Sequence, residues 1–135
     1  MVVYHGVPTI NVYNSVLKNG LTKSRIGTYG AGIYCSSDYN LAADYSRTSD
    51  CFRDGETSFV LPIEIEDEVV KLKYCELAML CNKEHSDSSV IFNRAKPIPE
   101  AEGYCKKKNI RVLMIKYEDT DEVIIYDSSV IKKIG

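Results

Sequence analysis

The chain has 135 residues, 44% of them hydrophobic and 27% charged, with a formal charge of -2 at neutral pH. That length fits one domain with a modest core, and the charge excludes a dedicated, strongly basic nucleic-acid binder as the default reading. The five cysteines, Cys35, Cys51, Cys75, Cys81 and Cys105, form no Cys-x-x-Cys pair; this excludes a zinc framework, and an odd number without a secretory leader points to reduced thiols in the cytoplasm or nucleus.

Val2 to His5 is short, apolar and rich in β-formers, and is expected to open the fold as a strand. Asn11 is the expected N-cap of a helix with Val12, Tyr13, Val16 and Leu17 as its stripe, Lys18 in the last turn and Gly20 past the end. Thr22 to Thr28 reads as a loop and Ile33 to Ser36 as a second strand. Ser37 or Asp38 then caps a helix that carries Leu41, Ala42 and Tyr45 on one side. Arg47 to Glu56 is a polar loop. Thr57 to Ile65 is a strand that Pro62 is expected to restrict to an edge or a bulge. A turn at Glu66 to Glu68, a strand at Val69 to Lys73 and a helix at Glu76 to Asn82 follow, then a polar break at Ser86 to Ser89.

Pro99 to Lys108 has the charge order that a helix dipole prefers, with Gly103 against it. Ile110 to Lys116 and Glu122 to Tyr126 are the clearest strands, joined as a hairpin by the acidic turn Glu118 to Asp121. Strands dominate, helices are short, and no regular β-α-β alternation is visible. The expected architecture is an antiparallel α+β fold in a single domain over residues 1–135.

Several chemistries are excluded by pattern. Gly30-Ala31-Gly32 is not a dinucleotide fingerprint, because the third glycine would fall at Cys35 and Tyr34 sits on a strand. No phosphate loop is present. His5 and His85 are the only histidines, so a multi-histidine metal site is not available and no metal is expected. His85, Lys106 to Lys108 and Lys132-Lys133 read as solvated surface. No apolar segment approaches membrane-spanning length.

Three pieces remain: Tyr4-His5-Gly6, the run YGAGIYCSSDYNLAADYS from Tyr29 to Ser46, and DEVIIYD from Asp121 to Asp127. Together they resemble the catalytic domain of the poly(ADP-ribose) polymerases and their diphtheria-toxin-like relatives. That family carries His-Gly on its first strand, then Gly-x-Gly-Ile-Tyr, a small residue and a second Tyr, and late in the chain a strand that begins with Glu. His5, Tyr34 and Glu122 match its His-Tyr-Glu set in order and local context, and Ser15 to Leu21 is similar to its helix ending in Gly-Leu. The likeness is close over residues 4–46 and 121–131 and loose between them.

The resemblance implies an ADP-ribosyltransferase fold, a split antiparallel β-sandwich with short flanking helices, and NAD as co-substrate. Tyr34 and Tyr45 would sandwich the cationic nicotinamide ring. Gly32 and Ala42 would leave room for it, and the Gly6 backbone would bind its carboxamide. Glu122 would stabilise the oxocarbenium-like transition state and hold the neighbouring ribose hydroxyl, as a carboxylate does in glycoside hydrolysis. His5 would bind ribose hydroxyls.

The expected activity is transfer of a single ADP-ribose unit to an acceptor protein, with nucleic acid as the other acceptor, by a monomer without a membrane partner. The alternatives are an NAD glycohydrolase and an inactive module that binds NAD or ADP-ribose. The sequence departs from the family at Ala42, where a carboxamide-binding Ser is common, and at Thr22, where an Arg often lies near the adenine; Lys23 or Arg25 would serve instead. The helical regulatory domain of some polymerases does not precede these motifs, so control is expected to differ.

Overall fold

Alternating apolar residues build two sheets that share one core. The structure, a computed structural model, describes residues 1–48, 59–83 and 90–135, without the side chains of residues 45–48. In chain order its elements are β1 (Val2–Val7), α1 (Ile10–Asn19), β2 (Ile33–Cys35), α2 (Tyr39–Thr48), β3 (Phe59–Ile65), β4 (Val70–Lys73), α3 (Tyr74–Leu80), α4 (Ala101–Lys108), β5 (Val112–Lys116), β6 (Asp121–Ile125) and β7 (Ile131–Ile134). One sheet has the order β1-β3-β7 and the other β2-β6-β5-β4, which makes the chain a mixed α+β protein.

Among the described residues, a single backbone bridge joins the sheets. Tyr4 N–H donates to the Ser36 carbonyl at 2.7 Å and Ser36 N–H to the Tyr4 carbonyl at 2.9 Å. Val3, Ile63 and Ile65 from one sheet pack with Ile33, Val112, Val123 and Ile125 from the other. The intervening residues of β5 and β6, Leu113, Ile115 and Ile124, face Leu77, Ala78, Ala101 and Cys105 of α3 and α4, as the period-two geometry of a strand requires. A smaller cluster sets Ala42 and Ala43 of α2 against Val60 and Tyr4.

The structure corrects several expectations. Thr9, not Asn11, caps α1, its Oγ1 accepting from Val12 N–H at 3.2 Å. β3 is the middle strand of its sheet, not an edge. Pro62 is tolerated there because its polar side faces β7 where that strand ends. Its carbonyl accepts from Gly135 N–H at 2.8 Å, so the missing N–H removes no bond from the body of the ladder. The irregularity lies two residues on, between Glu64 and Ile65.

The sheets are not wholly antiparallel, since β4 and β5 pair in parallel across a crossover that holds α3 and α4. α3 begins at Tyr74 instead of Glu76, and β7 and the short 3-10 turns at Phe92–Arg94 and Ser128–Val130 are additional elements. α2 runs on to Thr48, past the expected start of the loop at Arg47; the remainder of that loop, with Cys51, His85 and Ser86 to Ser89, lies outside the described residues. β5 and β6 form the expected antiparallel hairpin. Among the described residues, no helix is long and apolar enough to cross a membrane.

Candidate functional site

The two sheets part immediately after their bridge, and His5, Gly6 and Tyr34 meet there. Tyr4 and Ser36 turn their amides towards each other, so Gly6 and Tyr34, two residues along each strand, direct theirs into the same gap. Gly6 stands opposite Val60 on β3 as a non-hydrogen-bonded pair, which turns its N–H and C=O away from β3, towards β2. The strands do not close this gap with backbone bonds. Instead His5 Nδ1 lies 2.7 Å from the Tyr34 carbonyl.

A carbonyl can only accept, so Nδ1 carries the proton and Nε2 of neutral His5 is left as an acceptor. Burial lowers the His5 pKa below its ordinary 6.5, and the bond to Tyr34 opposes that shift only in part. The neutral form is thus the one the fold accommodates. As pH falls, the unfolded chain takes up this proton before the folded one. The contribution of His5 to stability is therefore complete above about pH 6.5 and is lost as pH falls through the depressed folded value. Denaturation midpoints measured from about pH 7.5 to about pH 5 should show this acid-side loss in the parent protein and less of it in His5→Gln.

Tyr34, Ser36 and Glu122 share one face of the four-stranded sheet. Tyr34 stands opposite Ile124, and Glu122 is two residues from Ile124 on the same side, a diagonal neighbour at roughly 7–8 Å between backbones. One step beyond the Cys35–Val123 pair, Ser36 faces Glu122. Ser36 and Glu122 are the buried polar and charged residues of the described chain, at 0% and 4% exposure. Ser36 Oγ accepts from Asp38 N–H at 3.0 Å and donates to the Asp121 carbonyl at 3.3 Å. Ser37 adds bonds from its N–H and hydroxyl to the Asp121 carboxylate. These contacts fix the start of β6, and with it Glu122, against the end of β2.

The Tyr34 hydroxyl is fully engaged. It donates to the Gly30 carbonyl at 2.6 Å and accepts from Tyr29 N–H at 2.8 Å. A Cβ on Gly27 would lie 2.5 Å from that hydroxyl, so the loop covers the tip of the ring. Burial raises the Tyr34 pKa to about 12, against the lowering effect of the Tyr29 bond and aided by the charges of Glu122 and Glu102. The phenol therefore stays neutral.

The other predicted residues take different positions. Gly32 is buried against β6, where a Cβ would meet Ile124 Cγ2 at 2.6 Å; its missing side chain makes room for the sheet. Ala42, 1% exposed, packs on Tyr4 and Val60, which brings α2 over the face of β1 that carries Gly6. Tyr45 belongs to α2, and its side chain lies outside the described residues. Among the described residues, no group of three or more His, Cys, Asp or Glu side chains is placed to hold a metal.

Lys23 lines a separate cavity of about 420 Å³ at the far end of β6, with Glu102, Lys106, Arg111 and Asp127. Arg111 is paired there with Asp67, its Nε 2.9 Å from Oδ2. Sequence reasoning missed Ser36, Tyr29 and Glu102, whose Oε1 accepts from Ala31 N–H at 2.8 Å. Of these, only Ser36 carried a signal, being two residues after Tyr34 and so on its face. No protein-family model matches the chain, and no curated protein shows significant similarity to it.

Proposed function

We propose that the chain is an NAD-dependent ADP-ribosyltransferase with the split two-sheet fold of the polymerase-like family. The observation that carries this reading is the gap between β1 and β2. There the N–H and C=O of Gly6 lie at the strand edge that faces β2, beside His5 and Tyr34, with Glu122 on the flanking face. A donor and an acceptor on one glycine match the two ends of a carboxamide, and the glycine itself adds no side chain there. The nicotinamide ring rests against Tyr34, whose quadrupole favours a cation.

Nicotinamide then leaves as a neutral pyridine and needs no general acid. Positive charge grows on the ribose, and the Glu122 carboxylate stabilises it and accepts a hydrogen bond from the neighbouring hydroxyl. Neutral His5 offers Nε2 to a second hydroxyl of the dinucleotide. An acceptor nucleophile on a protein takes the ADP-ribosyl group at the anomeric carbon and releases its proton to solvent or to Glu122. Transfer of one unit is the expected product.

The test is incubation with adenine-labelled NAD, reading free nicotinamide and the fate of the label. Nicotinamide release with label on protein is the expected result. Label on nucleic acid would change the acceptor class, and free ADP-ribose alone would make the enzyme a glycohydrolase. Absence of nicotinamide release at saturating NAD would overturn the enzymatic reading, and NAD binding without turnover would leave a binding module.

A further inference from the structure

Tyr29 is fully buried, and each of its polar atoms has a partner on a different element. Its N–H donates to Tyr34 Oη at 2.8 Å, its carbonyl accepts from Tyr126 Oη at 2.8 Å, and its hydroxyl is bonded to the hydroxyl of Tyr117. Tyr126 follows β6 and Tyr117 follows β5, so the hairpin grips both ends of Tyr29. Tyr117 is itself held between the rings of Tyr74, stacked at 6.1 Å, and Phe92, edge-on at 5.3 Å. The chain of contacts therefore runs from α3 through Tyr117 and Tyr29 to the hydroxyl of Tyr34.

We propose that Tyr29 and Tyr117 are positioning residues that set the plane of the Tyr34 ring and so the geometry of the ligand wall in the gap. The inference rests on the proposed function for its kinetic consequence, but not for its structural one. Tyr34 has its ring tip pinned and its backbone carbonyl held by His5. Two rotations would otherwise be free, about χ1 and χ2, and fixing a side chain in its bound orientation before the ligand arrives lowers the entropy cost of binding. Tyr29 fixes them by a backbone donor, which substitutions at position 29 do not remove. The hydroxyl pair with Tyr117 is what locates that donor.

The substitution Tyr117→Phe keeps an aromatic ring at the position between Tyr74 and Phe92 and removes the hydroxyl that is bonded to Tyr29. The expected result is a shifted or broadened Tyr34 ring signal in NMR of the free protein, with the amides of β5 and β6 unmoved. In the turnover assay, KM for NAD should rise roughly tenfold (~1.4 kcal/mol) with kcat nearly kept, the split expected when a binding contact equal in ground and transition states is weakened. Tyr29→Phe, which loses the other hydroxyl of the pair, should reproduce both effects.

An unmoved Tyr34 ring in both variants would overturn the inference whatever the enzyme does with NAD. A moved ring in a protein without turnover would support it and count against the proposed function alone. Should both variants fail to fold, hydrogen exchange in the parent protein decides the matter: a protected Tyr29 amide supports the positioning bond, and an unprotected one overturns it.

Discussion

Glu122→Gln should lower nicotinamide release by roughly 10²–10³ while NAD binding largely persists. The amide has the shape of the carboxylate and lacks its charge. It still accepts a hydrogen bond from a ribose hydroxyl, but it no longer stabilises the positive charge that appears only as the glycosidic bond breaks. The loss belongs to the transition state, so it falls on kcat and not on affinity.

Glu122 is also well placed for a test that needs no substrate. Its charge helps to raise the pKa of Tyr34, after the larger effect of burial. Removing that charge should let the Tyr34 phenol ionise at lower pH, while burial keeps the value above the ordinary 10.0. Absorbance titration of the tyrosines in parent and variant measures this. Unchanged titration would separate the carboxylate from the ring wall, and near-normal turnover would remove Glu122 from the chemistry.

How much of this was legible in the sequence depends on what each element owes to local pattern. The β5–β6 hairpin was readable, since Val112 to Lys116 and Glu122 to Ile125 are β-formers divided by an acidic turn. β7 was not. Its sequence, Ile-Lys-Lys-Ile, does not alternate, and the register shift in β3 that accommodates it is invisible until the strands are paired. The position of Pro62 failed for a related reason. A proline excludes a central strand only where a neighbour needs its N–H, and whether β7 reaches that far is a tertiary fact. The parallel β4–β5 pair was hidden because α3 and α4 are short and separated by irregular chain, which masks a crossover.

At the candidate site the same division holds. His5, Gly6, Tyr34 and Glu122 were readable as local motifs, and the structure sets the first three along one gap with Glu122 on the face beside it. Strand alternation puts His5 on the face of Val3 and Val7, opposite Tyr34 and Glu122, so the ring joins the group through the Tyr34 backbone instead of across a shared face. The supports act over long separations: Glu102 holds Ala31 across 71 residues, Ser36 holds Asp121 across 85, and Tyr29 is bonded to Tyr117 and Tyr126 across 88 and 97. No spacing rule reaches that far. Gly32 shows the converse: a glycine that suits a ligand slot in the sequence is explained in space by Ile124.

Gly30→Ala should be the most destabilising single-methyl change in the loop that carries the ring wall. Gly30 has φ +86, a conformation that costs a residue with a side chain about 1–3 kcal/mol. A Cβ there would also lie 2.5 Å from Glu102 Cβ and 3.1 Å from the Pro99 carbonyl, so neither neighbour gives way by a simple rotation. At roughly 3–5 °C per kcal/mol for a chain of this size, the melting temperature should fall clearly. The damage extends to the site, because the Gly30 carbonyl accepts the Tyr34 hydroxyl and the neighbouring Ala31 amide is held by Glu102. NAD affinity should therefore drop with stability. Gly103→Ala supplies the control, since that glycine lies inside α4 with nothing within 4 Å of a Cβ. There the methyl should stabilise by about 0.5–1 kcal/mol, because only the helix preference for alanine is at work. Opposite signs at positions 30 and 103, read by thermal melts, are the expected result. A Gly30→Ala protein that melts with the parent would mean that the loop is not held against α4 as described, and the support of Tyr34 would have to be sought elsewhere.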